Sequence, residues 1–323
     1  MRHGNLGPLG SVSRLTLGGG GIGQVWGPTS REEASATLRA AIDGGIDLID
    51  TAPMYLNCEA IFGETFQGAL PGHVRVTSKC DLGSPPADEI SARLDASVRK
   101  SLATMRLEKI DLFFLHSNIA AEGYAFAHGD TRRDQFSTRW DLYVEEVIPA
   151  FERLKALGLI GAWGITGIGV PQTILKALDH PQKPQGVQVI ANLMDSSGGI
   201  RRFAEAAAPR TILAKAVETG VPVLGIRAVQ AGALTSAMDR DLSPNHPDRR
   251  DFERAQSYRD LCREWGEDPA DIAHRYALSM EGVDTLILGV KNREELASAL
   301  TAEAAGPLET AQIAAIDQLE LRI

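Results

Sequence analysis

At 323 residues, with 44% hydrophobic and 23% charged positions, the chain has an ordinary globular composition and enough apolar material for a large core. Its net charge of −9, from 33 basic and 42 acidic side chains, makes it a poor general partner for nucleic acid or an anionic membrane surface. No apolar run reaches membrane-spanning length and the first residues lack a signal-peptide core, while three widely spaced cysteines, Cys58, Cys80 and Cys262, exclude a disulfide framework and predict a reducing, cytoplasmic setting.

Short apolar runs alternate with amphipathic segments along the whole chain. "RLTLGG" reads as a first strand. It runs into "GGGGIG", Gly18–Gly23, which matches a G-x-G-x-x-G dinucleotide fingerprint. That fingerprint should open a helix directly. Here the first helix begins only at Ser30, so the glycines read instead as a strand mouth where a flat ligand can approach the backbone. Ser30 and Glu33 have capping-box spacing, and Ala34, Leu38, Ala41 and Ile42 share one helical face.

The strand "IDLID" follows, then a helix around Cys58–Gln67, the strand "HVRVTSK", and a helix with Ile90, Leu94, Val98, Leu102 and Met105 in register. "IDLFFLHS" reads as a fully buried strand with a polar tip. A helix around Leu142–Leu157 precedes "GAWGIT", and one near Pro171–Leu178 precedes "VQVIAN". A helix near Ala204–Thr219 precedes "VPVLGIR". Helices around Phe252–Glu264 and Pro269–Met280 precede "DTLILGV", and a last helical stretch starts near Arg293. Near-continuous apolar strands alternating with helices imply a parallel sheet covered by helices. Eight such units predict an α/β chain folded as one (β/α)8 barrel domain over residues 1–323. The competing architecture is an open doubly wound sheet. Two longer loops, 118–139 and 231–250, are expected to carry specificity. Nothing in the pattern specifies an oligomer.

In a barrel the polar strand ends converge on one face. Asp50 ends the second strand and Tyr55 lies in its loop. Lys79 ends the third, His116 the fourth, Thr166 the fifth, Gln188 lies on the sixth and Arg227 ends the seventh. A buried Lys79 needs a counter-charge, which Asp50 supplies. The ammonium is expected to lower the pKa of Tyr55, making it a general acid toward a carbonyl oxygen and a base in reverse. His116 is expected to hydrogen-bond the same oxygen. Such a site suits hydride transfer from a cofactor and needs no metal. Cys58 and Cys80 read as small packing residues.

"IDTAPMY" followed by "CEAIFGETF", then "VTSK" and "IDLFFLHS", together resemble the successive signatures of the aldo-keto reductase superfamily over nearly the whole chain. The resemblance implies a (β/α)8 TIM barrel, an N-terminal hairpin plugging its bottom, an extra C-terminal helix, and Asp50, Tyr55, Lys79 and His116 as catalytic tetrad. It also implies a nicotinamide cofactor, NADP with NAD as the alternative, and a small carbonyl or alcohol substrate. By the same resemblance Gly19, Gly20, Thr166 and Gln188 face the nicotinamide side. Arg227 and Gly232 lie at the pyrophosphate. Gly289, Lys291, Arg293 and Glu295 lie at the adenosine end, where the two cations suit a 2′-phosphate and Glu295 suits ribose hydroxyls. The sublevel pattern is most similar to bacterial sugar or aldose-type dehydrogenases. The departures are Thr166–Gly167, where a Ser-Asn pair is usual, and Arg227 in the place of a small residue. Two other classes are kept in view. One is a nucleotide-binding sensor on the same barrel with slow turnover. The other is a metal-dependent hydrolase, which needs clustered His and Asp ligands.

Overall fold

The structure is a computed structural model that describes residues 1–120 and 133–323. β1 (His3–Asn5) and β2 (Ser11–Ser13) form an antiparallel hairpin. The barrel strands are β3 (Leu15–Gly18), β4 (Leu48–Asp50), β5 (Arg75–Cys80) and β6 (Ile110–Leu115), followed, after β7 (Asn118–Ala120) and β8 (Ser137–Arg139), by β9 (Ile160–Thr166), β10 (Val187–Ile190), β11 (Val223–Ile226) and β12 (Thr285–Leu288). These eight close in the order β3-β4-β5-β6-β9-β10-β11-β12, every pairing parallel. All eight strands expected from the apolar runs are present, in the expected order, and the open-sheet alternative is excluded by the closure of β12 onto β3.

The hairpin plugs the bottom. Leu6, Leu9 and Val12 pack against the inward side chains Leu48, Leu112, Phe114, Ala162 and Leu224. At the level of Leu48 and Leu224, Thr16 and Thr285 share a buried 2.7 Å hydrogen bond. The larger core lies between the strands and the surrounding helices. There the faces predicted for the helices Arg31–Asp43 and Ala87–Met105 are buried.

Local differences have local causes. Ser30 accepts from the Glu33 amide at 3.1 Å, but the Glu33 carboxylate turns to Arg293, so the capping box is not reciprocal. The segment before β9 is not one regular helix: Tyr143–Val147 makes a π-turn between Trp140–Leu142 and Ile148–Ala156. A break at Ala255 divides Pro247–Arg254 from Gln256–Trp265. The helix Arg293–Ala305 is followed by the expected extra C-terminal helix, Thr310–Asp317. Of the long loop at 118–139, the two ends pair as the parallel strands β7 and β8, and its centre, with His128 and Arg132, lies outside the described residues. Among the described residues no helix is long and apolar enough to cross a membrane.

Candidate active site

Asp50 closes β4 and stands in register with Thr77 of β5. Side chains two apart on a strand point the same way, so Thr77 and Lys79 both face Asp50. Thr77 Oγ1 donates to Asp50 Oδ1 at 2.6 Å, and Lys79 Nζ donates to Asp50 Oδ2 at 2.6 Å and to the Thr51 carbonyl at 2.8 Å. Gln188, on β10 at the opposite side of the barrel, donates through Nε2 to Asp50 Oδ1 at 2.8 Å. The carboxylate thus collects three donors in a site where Asp50 is 1% and Lys79 0% exposed. A buried charge persists only when it is both paired and hydrogen-bonded.

Tyr55 sits in the turn after β4, held by its amide on the Ala52 carbonyl at 3.0 Å and by the Cys58 amide on its own carbonyl at 3.0 Å. Lys79 Nζ lies 4.6 Å from the centroid of the Tyr55 ring. His116 follows β6, its amide bonded to the Cys80 carbonyl at 2.8 Å. Its ring meets Tyr55 edge-on, centroids 5.9 Å apart at 89°. Asp50, Tyr55, Lys79 and His116 therefore share one partly buried mouth.

The electrostatics follow from this packing. Burial pulls the Lys79 pKa down, but Asp50 and then Tyr55 outweigh it, and the net shift is upward. Lys79 is charged. Burial raises the pKa of Tyr55 and Lys79 lowers it. Burial prevails, so Tyr55 lies above its ordinary value. The expected net lowering is corrected here: desolvation of a phenolate in this mouth exceeds the pull of one ammonium already engaged by Asp50. For His116, burial and then the nearby Lys79 charge lower the pKa to about 3, so the ring is neutral at ordinary pH.

Three neighbours went unread in the sequence. Thr77 had a legible signal, its strand-period spacing from Lys79. Glu59, 6% exposed, accepts from Ser78 Oγ at 2.6 Å, and burial raises its pKa. Trp26 lies against the glycine run. Cys58 and Cys80 are buried thiols whose pKa burial raises, that of Cys80 to about 11, which fits packing and not nucleophilic attack.

The other expected ligand-facing residues are placed as follows. Gly19 and Gly20 belong to a short helix, Gly19–Ile22, and are packed by protein groups. A Cβ on Gly19 would lie 2.3 Å from Cys58 Sγ, and one on Gly20 2.6 Å from Trp26 Nε1. Gly289 also faces the Trp26 indole, and the Arg240 guanidinium lies 5.5 Å from the Trp26 ring centroid. Thr166 Oγ1 donates to the Leu115 carbonyl at 3.0 Å. Arg227 is taken up by Asp248 Oδ1 at 2.6 Å and Gln230 Oε1 at 2.9 Å, with 7% of its side chain exposed. It ties β11 to the helix Pro247–Arg254 and does not present a free guanidinium. Gly232, at φ 89°, makes the turn after β11 in a conformation that favours glycine. Lys291 bridges Asp239 at 2.5 Å and Glu295 at 2.7 Å, and Arg293 pairs with Glu33 at 2.9 Å. Among the described residues no cluster of three or more His, Cys, Asp or Glu side chains could hold a metal ion.

A model of the aldo/keto reductase family matches residues 14–321. L-galactose dehydrogenase from Arabidopsis thaliana is 25% identical over 297 residues, spanning 90% of this chain and 85% of that protein. D-arabinose 1-dehydrogenase from Saccharomyces cerevisiae is 25% identical over 314 residues, 90% of this chain and 83% of that one. The glycerol dehydrogenase structure from Gluconobacter oxydans superposes with a TM-score of 0.69 at 24% identity, covering 96% of this chain and 91% of that one, a likeness of fold. The chain belongs to the aldo/keto reductase family, enzymes that interconvert carbonyl compounds and alcohols.

Proposed function

We propose that this enzyme is a nicotinamide-dependent carbonyl reductase or alcohol dehydrogenase in which Tyr55 carries the proton. The observation that supports this reading best is the fully buried Lys79 ammonium, held by Asp50 and lying 4.6 Å from the Tyr55 ring centroid.

The residues between the ends of β11 and β12 fit a dinucleotide. Arg240 lies 5.5 Å from the Trp26 ring centroid, and Lys291 adds a second cation, with Asp239 and Glu295 beside it. A reduced nicotinamide, when bound, supplies hydride to the carbonyl carbon. Everything else falls to side chains of this chain. Tyr55, kept as a phenol by burial, gives its proton to the substrate oxygen. The phenolate left behind is stabilised by the Lys79 ammonium, and Asp50 keeps that ammonium charged inside the barrel. His116, neutral down to a pKa of about 3, offers an N–H to the same oxygen without competing as an acid. Alcohol oxidation runs the same groups backward. Gln188 and Thr166 face this region from β10 and β9, and occupancy by a carboxamide requires Gln188 to share or exchange its bond to Asp50.

On charge, the adenosine end favours NAD. The cations expected to receive a 2′-phosphate, Lys291 and Arg293, are countered by Asp239, Glu295 and Glu33. A dianionic phosphate entering there meets carboxylates, whereas ribose hydroxyls can donate to them.

The test is oxidation of reduced nicotinamide by a panel of aldehydes and ketones, followed by absorbance. Turnover with at least one carbonyl class, faster with NADH than NADPH, is expected. Tight nucleotide binding with no single-turnover oxidation contradicts the reading and points to a nucleotide sensor.

A further inference from the structure

β10 is followed by "MDSSGGIRRF", where two serines and two glycines precede a pair of arginines. Gly198 sits in the left-handed region at φ 49°, and a Cβ there would fall 2.1 Å from Asp248 Oδ1 and 2.7 Å from Arg227 Nη2. The turn is thereby pressed onto the Arg227–Asp248 pair. Together with the helix Pro247–Arg254 it lines a cavity of about 280 Å³, whose polar wall includes Ser196, Ser197, Arg201, Arg250, Asp251 and Arg254. Such a volume suits a small ligand. Neither the four residues of the reaction mouth nor Trp26, Arg240 or Lys291 line it.

The charges on this wall do not cancel. Asp251 accepts from Ser196 Oγ at 2.5 Å and from Gln230 Nε2 at 2.7 Å, and is ion-paired with Arg254. Asp195, also on the wall, is taken at 2.8 Å by Arg210, which does not line the cavity. Arg201 donates to the Phe203 carbonyl at 3.0 Å and to the Ala204 carbonyl, and the Arg250 guanidinium donates to Asn245 Oδ1 at 3.3 Å. Neither has a carboxylate partner among the described residues. Both are exposed side chains, so the cavity is open to a ligand from solvent. A guanidinium carries five N–H donors, and most of those on Arg201 and Arg250 remain for an occupant. Ser197 is 5% exposed, and its hydroxyl has no hydrogen-bond partner among the described residues. A buried hydroxyl left unpaired counts against stability until something takes it up.

We propose that this cavity binds a phosphate dianion, free or esterified, with its oxygens on the Arg201 and Arg250 guanidiniums and on the Ser197 hydroxyl. A dianion balances the two uncompensated charges, and guanidinium forks match phosphate oxygens through paired donors. Asp195 and Asp251 already have their partners, so neither must be displaced. Ala206 and Ala207 complete the wall with apolar surface, against which the carbon part of an ester can lie. The site stands apart from the nucleotide groove and does not depend on the Tyr55 chemistry.

The experiment is titration calorimetry of the whole enzyme at fixed ionic strength, with inorganic phosphate and glycerol phosphate as probes. Saturable binding at one site is expected for at least one of them. Arg201→Gln and Arg250→Gln should each weaken it by about tenfold, the scale of one charge-assisted contact, and Ser197→Ala by about fivefold. Lys291→Gln should leave it unchanged. Tighter binding of glycerol phosphate supports the proposal with a phosphorylated metabolite as the source, and tighter binding of inorganic phosphate supports it with the free ion. Heats that do not saturate with either probe overturn the proposal, as do equal affinities in the wild type and both arginine variants. So does weakening by Lys291→Gln with the arginine variants unaffected, since the phosphate then lies in the nucleotide groove.

Discussion

Lys79 Nζ lies 2.6 Å from Asp50 Oδ2, with side-chain exposures of 0% and 2%. The pair is the electrostatic centre of the mouth, and its partners come from β4, β5 and β10 together. Replacing Asp50 by Asn leaves an uncompensated buried ammonium, and breaking a buried pair costs about 3–5 kcal/mol. Urea denaturation of Asp50→Asn at neutral pH should show a loss of that order. Because the folded Lys79 pKa is raised, the pair's contribution is complete below the ordinary lysine value of ~10.4 and fades as pH climbs through the raised one. In Asp50→Asn, burial without the carboxylate lowers the Lys79 pKa, so the gap should be widest at neutral pH and below and narrow as rising pH neutralises the variant's lysine before that of the wild type. A gap that widens as pH rises contradicts the assignment.

Acid should act through histidines. Burial is the main cause in lowering His116 to about 3 and His274 to about 4. As pH falls below the ordinary value of ~6.5, the unfolded chain takes up protons at both positions while the folded chain does not, so stability declines with falling pH in that window. Among the described residues, the buried Nδ1 of His274 has no hydrogen-bond partner. The His274→Gln variant should lose less stability than the wild type between neutral pH and the acid end of that window, measured as urea midpoints. Parallel profiles for the two proteins contradict the assignment.

Nucleotide preference offers a third measurement. Glu295 Oε1 lies 2.7 Å from Lys291 Nζ, and Glu295 Oε2 accepts from the Lys291 amide at 2.8 Å. Glu295→Gln removes a carboxylate from the neighbourhood of a 2′-phosphate and frees Lys291 from one partner. The NADPH-to-NADH ratio of kcat/KM should rise by about fivefold, the scale of one partly screened charge contact. An unchanged or falling ratio contradicts the placement of the adenosine end at Lys291.

The barrel was legible because its strands are short, nearly unbroken apolar runs and its helices keep a clean period. Asp50, Lys79 and His116 were legible for a related reason: each is a polar residue at or just beyond the end of such a run. What escaped depends on closure. The Gln188–Asp50 bond spans opposite walls of the barrel, so no local pattern announces it. The capture of Arg227 by Asp248 joins residues 21 positions apart across a loop and a helix start. The π-turn at Tyr143–Val147 and the break at Ala255 interrupt segments whose composition remains helical. The sign of the Tyr55 shift depends on how deeply the mouth desolvates it, a quantity of the fold and not of spacing. Thr77 was in view within "VTSK" and was passed over.

The central claim is that the proton given to the substrate oxygen is the one on Tyr55. Tyr55→Phe keeps the ring beside Lys79 and removes only the hydroxyl. The direct measurement is the single-turnover rate of carbonyl reduction by this variant with bound reduced nicotinamide, alongside nucleotide affinity by fluorescence. The account predicts a rate lower by about 10²–10⁴-fold with affinity little changed, whereas a rate within about threefold of the wild type would contradict it.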